Sequence, residues 1–345
     1  MNWDWIEQMK KKEEFKCIWI PYGLPEITDI TITEFGPTKG VEVCPKWDIP
    51  ETIVISATIT GAFYSKRQNP NHPITPDEIR KSAEECAKAG APTIHIHVRD
   101  KAGYNVLDPE LFHYVIDYLK KKYPNVVYDG CMVPFQSGEW SKMIQVLKDG
   151  LLEVTPVNTT MCYAGDSLFA KPPHVIIEKT KICQDLGVKP QIAVYSDGDI
   201  DNARRYLIKT GLLEKPYYWI ILPALPGGSP LNYNPFAMAE GLLHLVKRIK
   251  DIDREVHADP ESVIIVCAAG RASSYLATMA ILLGLHIRVG MEDTIYMWPH
   301  KDDRIKNNAE HFLLFKNIAE SLGRRVATPD EYRKLIGLPM KRKRS

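Results

Sequence analysis

The chain has 345 residues, 45% hydrophobic and 25% charged, enough apolar material for a sizeable core in a soluble globular protein. Its 44 Lys and Arg nearly balance 43 Asp and Glu, and the formal charge of +1 argues against a strong field for nucleic acid or an anionic membrane. No apolar run approaches the ~20 residues of a membrane span. The seven cysteines include no Cys-x-x-Cys pair, which points to reduced thiols and a cytoplasmic location.

In chain order, residues 1–50 are Pro-containing and irregular, read as an N-terminal extension that caps the body of the protein and touches a second subunit. From Glu51 to about residue 340 apolar strand-like runs alternate with amphipathic helix-like segments, the pattern of parallel βαβ units. Strands are expected at 52–58, 93–98, 126–128, 152–156, 191–195, 219–223, 263–266 and 287–289. Helices are expected near 76–89, 108–122, 139–149, 173–186, 199–210, 235–251, 272–284 and 307–322. Thr75-Pro-Asp-Glu78 and Asp108-Pro-Glu110 are helix starts, with a cap residue followed by Pro at the first turn. Gly90, Gly187 and Gly211 fall where helices should end. Eight strand–helix pairs in about 280 residues fit a closed (β/α)8 barrel, an α/β fold, better than an open doubly wound sheet. No Gly-x-Gly-x-x-Gly follows the first strand, and Gly227-Gly228 is a weak phosphate signal. Residues 51–340 are therefore taken as one barrel domain, and the basic tail Lys341–Ser345 as a solvated end.

The stretch Ala91-Pro-Thr-Ile-His-Ile-His-Val-Arg-Asp100 puts His95 and His97 two apart on a strand, hence on one face near its C-terminal end. Two imidazoles in an apolar run either have separate hydrogen-bond partners or share a metal ion. Barrel sites gather at the C-terminal mouth. Closure sets strands two and eight on either side of strand one, roughly 10 Å apart. Glu292, just past strand eight in Ile287-Arg-Val-Gly-Met-Glu-Asp293, can then reach a metal held by the histidines. Alternation would put Arg288, Gly290 and Glu292 on one side. Asp293 is a general base or an orienting group, although an Arg–acid pair can also serve as a lock. His72, His113, His286 and His300 lack paired spacing and are read as ordinary, and Cys131 as a small buried filler.

Several motifs, in order, resemble the β-keto acid cleavage enzymes over residues 52–338. They are Ile59-Thr-Gly-Ala62, Gln68-Asn-Pro70, Thr75-Pro-Asp-Glu-Ile79, the His-x-His stretch, Arg288-Val-Gly-Met-Glu-Asp293, Asn308-Ala-Glu310, Ala327-Thr-Pro-Asp-Glu331 and Ile336-Gly-Leu338. The resemblance implies a metal-dependent (β/α)8 barrel, usually with zinc, assembling as a homo-oligomer, often a tetramer. It implies a β-keto acid and acetyl-CoA as substrates, giving acetoacetate and a new acyl-CoA by a retro-Claisen route. Carried over by position, His95, His97 and Glu292 match the metal ligands, Asp293 the base that removes a C2 proton, and Arg288 a catalytic arginine. Thr159, with Thr155 and Thr160 as competitors, falls in the loop that helps hold the acid.

Three departures mark a divergent subgroup. Phe63 stands where some members carry an acid for a substrate ammonium, which disfavours a cationic side chain. Asp129-Gly-Cys-Met132 replaces a Ser/Thr-Gly-Gly turn, and Gln191 and Ala193 replace alternating acids after strand five. The competing readings are a CoA-independent metal-dependent aldolase, lyase or isomerase working through an enolate, and a barrel that binds metal or metabolite without turnover.

Overall fold

A computed structural model describes residues 2–11, 46–134, 137–164, 167–225 and 234–341; the Gly227-Gly228 pair and residues 342–345 of the basic tail lie outside them, while Lys341 is held by Pro124 O at 2.6 Å and Glu153 at 3.0 Å. The chain divides into two units after Ile49. In the first, Trp3–Lys11 forms a helix (α1) with Asp4 in its first turn and Lys10 and Lys11 in its last, the polarity that the helix dipole favours.

The second unit is a closed barrel of eight parallel strands. They are β1 (Ile55–Thr58), β2 (Thr93–Ile96), β3 (Val127–Gly130), β4 (Val154–Asn158), β5 (Lys189–Val194), β6 (Tyr218–Ile221), β7 (Val263–Val266) and β8 (His286–Gly290). Each pairs with the next, and β8 closes on β1 through Arg288↔Ser56 and Gly290↔Thr58. The outer helices are α2 (Pro76–Ala89), α3 (Pro109–Lys122), α4 (Glu139–Lys148), α5 (Pro173–Asp185), α6 (Asp197–Ala203), α7 (Pro235–Glu255), α8 (Ala272–Leu282) and α9 (Asn308–Ser321). The expected capping box is present, with the Thr75 side chain and Glu78 bonding reciprocally at the start of α2, and Gly90 ends that helix in the left-handed region. The expected helix at 199–210 begins at Asp197 and passes into a π-helical turn at Arg204–Ile208.

Each strand is buried on both faces. Outward residues such as Ile55, Ile94, Ile96, Ile287 and Val289 join the core beneath the helices. Inward residues divide by height. Lower ones, including Val127, Val154, Tyr218, Val263 and Ile265, form a separate apolar cluster. That cluster is closed by a helix absent from the expected set, α10 (Pro329–Ile336), which starts on a Thr328–Glu331 capping box like that of α2 and whose Tyr332 and Ile336 plug the N-terminal end. Tyr332 and Tyr218 join their hydroxyls at 2.8 Å, and Arg333 grips Glu153 through two bonds. The upper inward positions of β1, β2, β3, β4 and β8 are polar: Thr58, His95, Asp129, Asn158 and Arg288, all buried. This polar layer over an apolar floor locates the site.

Two antiparallel hairpins rise from the loops and interrupt the simple alternation. Val98–Arg99 pairs with Asn105–Val106 after β2, and Met161–Ala164 with Ser167–Ala170 after β4. The expected strand 52–58 is split, since Thr52–Ile53 pairs instead with Arg325–Val326 outside the barrel.

Candidate active site

His95 and His97 stand at the top of β2 with ring centroids 5.3 Å apart. Each has its Nδ1 engaged with an oxygen. His95 Nδ1 lies 2.7 Å from Asp129 Oδ2, and His97 Nδ1 lies 2.6 Å from Asn105 Oδ1. Because those oxygens accept, the Nδ1 atoms carry the protons and the Nε2 lone pairs point into the barrel mouth. Neither Nε2 has a hydrogen-bond partner among the described residues, and both are buried. Glu292 Oε1 sits 3.2 Å from His97 Nε2 and 3.5 Å from His95 Nε2. One ligand atom from each of the three lies within 4.8 Å of the others. Two orphaned imidazole nitrogens and a carboxylate converging on one point fit a divalent cation with room for substrate.

Electrostatics agree. Burial opposes charge on Glu292, but His95, His97 and Arg288 more than offset it and hold the carboxyl well below its usual range. Burial likewise opposes charge on His97, and Glu292 and Cys131 together outweigh it, so that imidazole lies well above its ordinary value.

Glu292 is not on a strand. β8 ends at Gly290, and Asp293 N and Thr294 N both return to Gly290 O. Strict alternation would send Glu292 and Asp293 to opposite faces; the turn brings both inward. Its sharpness needs Gly290, at φ 148°, where an added Cβ would stand 1.8 Å from Thr58 O. Thr58 Oγ1 donates to Glu292 Oε2. Asn308 accepts from Met291 N at 2.7 Å and donates to Ile59 O and to Ser82 Oγ, both at 3.0 Å. The Asn308 and Ile59-Thr-Gly motifs are therefore clamps on this turn.

Arg288 holds Asp293 through a fork, Nε to Oδ2 at 3.1 Å and Nη2 to Oδ1 at 2.7 Å. Its Nη2 is also 3.3 Å from Glu292 Oε1. Burial raises the Asp293 carboxyl, Arg288 pulls it down and Glu292 pushes it up, with a net rise. A buried aspartate less acidic than usual, next to the ligand cluster, suits a general base.

Of the other sequence-derived residues, Thr159 is buried and its hydroxyl donates to Asp199 O at 2.8 Å. Thr155 donates to Gly130 O at 2.8 Å, and Thr160 is buried as well. Phe63, in the loop after β1, is 61% exposed. Arg99 anchors that loop by donating to Thr60 O and Tyr64 O. Gln191 and Ala193 are buried on β5, Gln191 Oε1 without a partner among the described residues. Cys131 is half-buried; burial raises its thiol, and His97 beside it draws the thiol below its ordinary value.

Three groups went unread in the sequence: Asp129, Asn105 and Thr58, the partners of His95, His97 and Glu292. Register was the missing signal. His95 is paired with Asp129 and with Thr58 across the sheet, and Asn105 with Arg99 across the hairpin.

The family model described as beta-keto acid cleavage enzyme matches residues 52–338. The chain is 33% identical over 294 residues to 3-keto-5-aminohexanoate cleavage enzyme of Fusobacterium nucleatum, covering 84% of this chain and 98% of that protein. It is 25% identical over 308 residues to 3-dehydrocarnitine:acetyl-CoA trimethylamine transferase of Rhizobium meliloti, covering 83% and 96%. The solved apo structure of ObcA superposes with a TM-score of 0.62 at 18% identity, over 78% of this chain and 66% of that one, a likeness of fold. The matched span takes in the whole barrel and its plug helix, and this chain belongs to the β-keto acid cleavage enzyme family.

Proposed function

We propose that the protein condenses a β-keto acid with acetyl-CoA and releases acetoacetate and a new acyl-CoA. The observation that carries the reading is the convergence of His95 Nε2, His97 Nε2 and Glu292 Oε1 beside an Arg288-held Asp293. His95, His97 and Glu292 would hold a divalent cation, zinc by preference. Such an ion supplies Lewis acidity toward a keto oxygen and a carboxylate.

The chain's own groups divide the remaining work. Asp293 takes the C2 proton, its basicity raised by burial. Arg288 fixes the direction of that carboxylate and offsets the negative charge that accumulates when the carbanion attacks the acetyl thioester and CoA thiolate adds to the original keto carbon. Asp129 and Asn105 keep the two imidazoles in the tautomer that presents Nε2. Thr159 and its loop help seat the acid. Phe63 faces the substrate side chain and favours an uncharged one, in keeping with its exposed, apolar character.

We take residues 1–50 as an extension and 51–340 as the catalytic barrel of a cytoplasmic homo-oligomer, a tetramer by preference. Exposed Met161, Tyr163 and Leu168 on one hairpin support association. No helix among the described residues is long and apolar enough to cross a membrane.

The test is mass spectrometry of CoA species after zinc-loaded protein meets acetyl-CoA and a panel of β-keto acids. A new acyl-CoA matched by acetoacetate is the expected result. No new thioester from folded, metal-replete protein across the panel would transfer the reading to CoA-independent enolate chemistry.

A further inference from the structure

We infer that Arg271, Tyr296 and Arg304 form an anion site at the barrel mouth that takes a phosphate of the CoA co-substrate. The inference rests on the proposed function for the identity of the ligand. The site itself rests on geometry.

Arg271 ends the loop after β7. Tyr296 and Arg304 lie in the loop after β8 and pair there across an antiparallel bridge. The two guanidinium carbons stand 4.0 and 4.2 Å from the centroid of the one Tyr296 ring. Two cations are thus gathered on one phenol ring, whose π-face offsets only part of the cost of assembling them. The carboxylate at hand is Asp302, 85% exposed and paired with Arg271. Arg271 Nη1 also donates to Lys301 O at 2.8 Å, which fixes the guanidinium in place. Arg304 Nη1 is buried and has no hydrogen-bond partner among the described residues. A guanidinium N–H withdrawn from water and left unpaired is costly, and it marks where an acceptor belongs. A phosphate oxygen is the acceptor that suits a guanidinium fork.

Position agrees with chemistry. Barrels commonly bind phosphate between the loops after strands seven and eight, beside a helix N-terminus. Here α8 starts directly after Arg271, with no side-chain cap at that end. The same loops reach the reaction centre, since Gly270 N donates to Asp293 O at 2.8 Å. A ligand can therefore rest its phosphates on the rim and send its thioester arm inward past Asp293.

Calorimetric titration of the full-length, metal-loaded protein tests this, with CoA, dephospho-CoA and acetoacetate as separate probes. The variants are Arg304→Gln, Arg271→Gln and Arg304→Lys. In the Gln variants CoA affinity should fall about tenfold or more, the weight of one charge-assisted pair. Arg304→Lys, which keeps the charge, should recover part of it, and acetoacetate affinity should stay within about twofold of the parent. A loss seen with CoA alone assigns the 3′-phosphate to the site; a loss shared by dephospho-CoA assigns the pyrophosphate. Equal CoA affinity in parent and variants overturns the inference and leaves the proposed function standing. Parallel loss of CoA and acetoacetate overturns it as well, as general damage to the mouth. Failure of the parent to bind CoA overturns both readings.

Discussion

Asp129 Oδ2 accepts from His95 Nδ1 at 2.7 Å, both groups buried, so the β3 carboxylate sets the tautomer of the β2 imidazole. Asp129 therefore has a use even though the residues around it depart from the family's usual turn. Orienting carboxylates of this kind are commonly worth about 10–100-fold in metal affinity. Asp129→Ala should lower zinc affinity by about that factor in competition with a chromophoric chelator. His95→Ala and His97→Ala should lose the metal outright by elemental analysis. Near-stoichiometric metal in either histidine variant would remove the centre described here.

Asp293→Asn should retain metal and lose turnover by about 10²–10⁴-fold, the usual contribution of a positioned base. The pH dependence has a defined sign. Asp293 works when ionised, and its carboxyl is raised by burial and by Glu292 against the pull of Arg288. The acid limb of kcat/KM should therefore lie above the ordinary aspartate range of about 4 and disappear in the Asn variant. An Asp293→Asn enzyme with parental turnover would remove the residue from the chemistry.

The convergence of His95, His97 and Glu292 was readable from sequence because the two histidines obey strand periodicity and Glu292 lies just beyond the last strand. Asp293 drew notice as the neighbour of Glu292, and the resemblance chose the base role for it, although strict alternation would have turned it away; the Gly290 turn brings the adjacent acids inward. Asp129, Thr58 and Asn105 were hidden because their role depends on register between strands, which periodicity does not encode. Plug helix α10 carries the Thr-Pro-Asp-Glu start that marked α2, so its presence was legible and was passed over; its plugging role was hidden, because its partners Tyr218, Glu153 and Val126 lie more than a hundred residues away in sequence.

Gly61 sits at φ 58°, and a Cβ there would stand 2.3 Å from Glu292 Cγ. The conformation disfavours any L side chain and the space is already taken. Gly61→Ala should therefore displace Glu292 and weaken metal binding while His95 and His97 keep their partners. Spectra of the cobalt-substituted protein would report the altered ligand field. A spectrum identical to that of the parent would show that the loop yields instead of the ligand.

Phe63→Glu should move preference among β-keto acids toward those with a cationic side chain, because it puts an acid into the loop anchored by Arg99. The readout is the ratio of kcat/KM for a cationic and an apolar β-keto acid of similar size, expected to shift about tenfold, the scale of one charge-assisted contact. An unchanged ratio would mean that the side chain is read elsewhere.

His311, on α9, is fully buried, with neither ring nitrogen hydrogen-bonded among the described residues. Its ring packs edge-on against Phe315 at 5.1 Å. Burial lowers its pKa from 6.5 to about 4, so the folded state keeps it neutral where the unfolded chain would protonate it. The stability at stake is fully present above the unfolded value and is lost progressively as pH falls from there toward the folded value. Between about pH 7 and about pH 5 this one group should cost about 2 kcal/mol. His311→Leu, similar in size and unable to titrate, should lose less stability over the same interval by about that difference in urea unfolding. His72 and His286 also have lowered values, so both proteins should still weaken in acid, and the informative quantity is the difference between their pH slopes. Identical slopes would mean that the imidazole finds a proton-stabilising partner on folding, contrary to the unpartnered ring seen here.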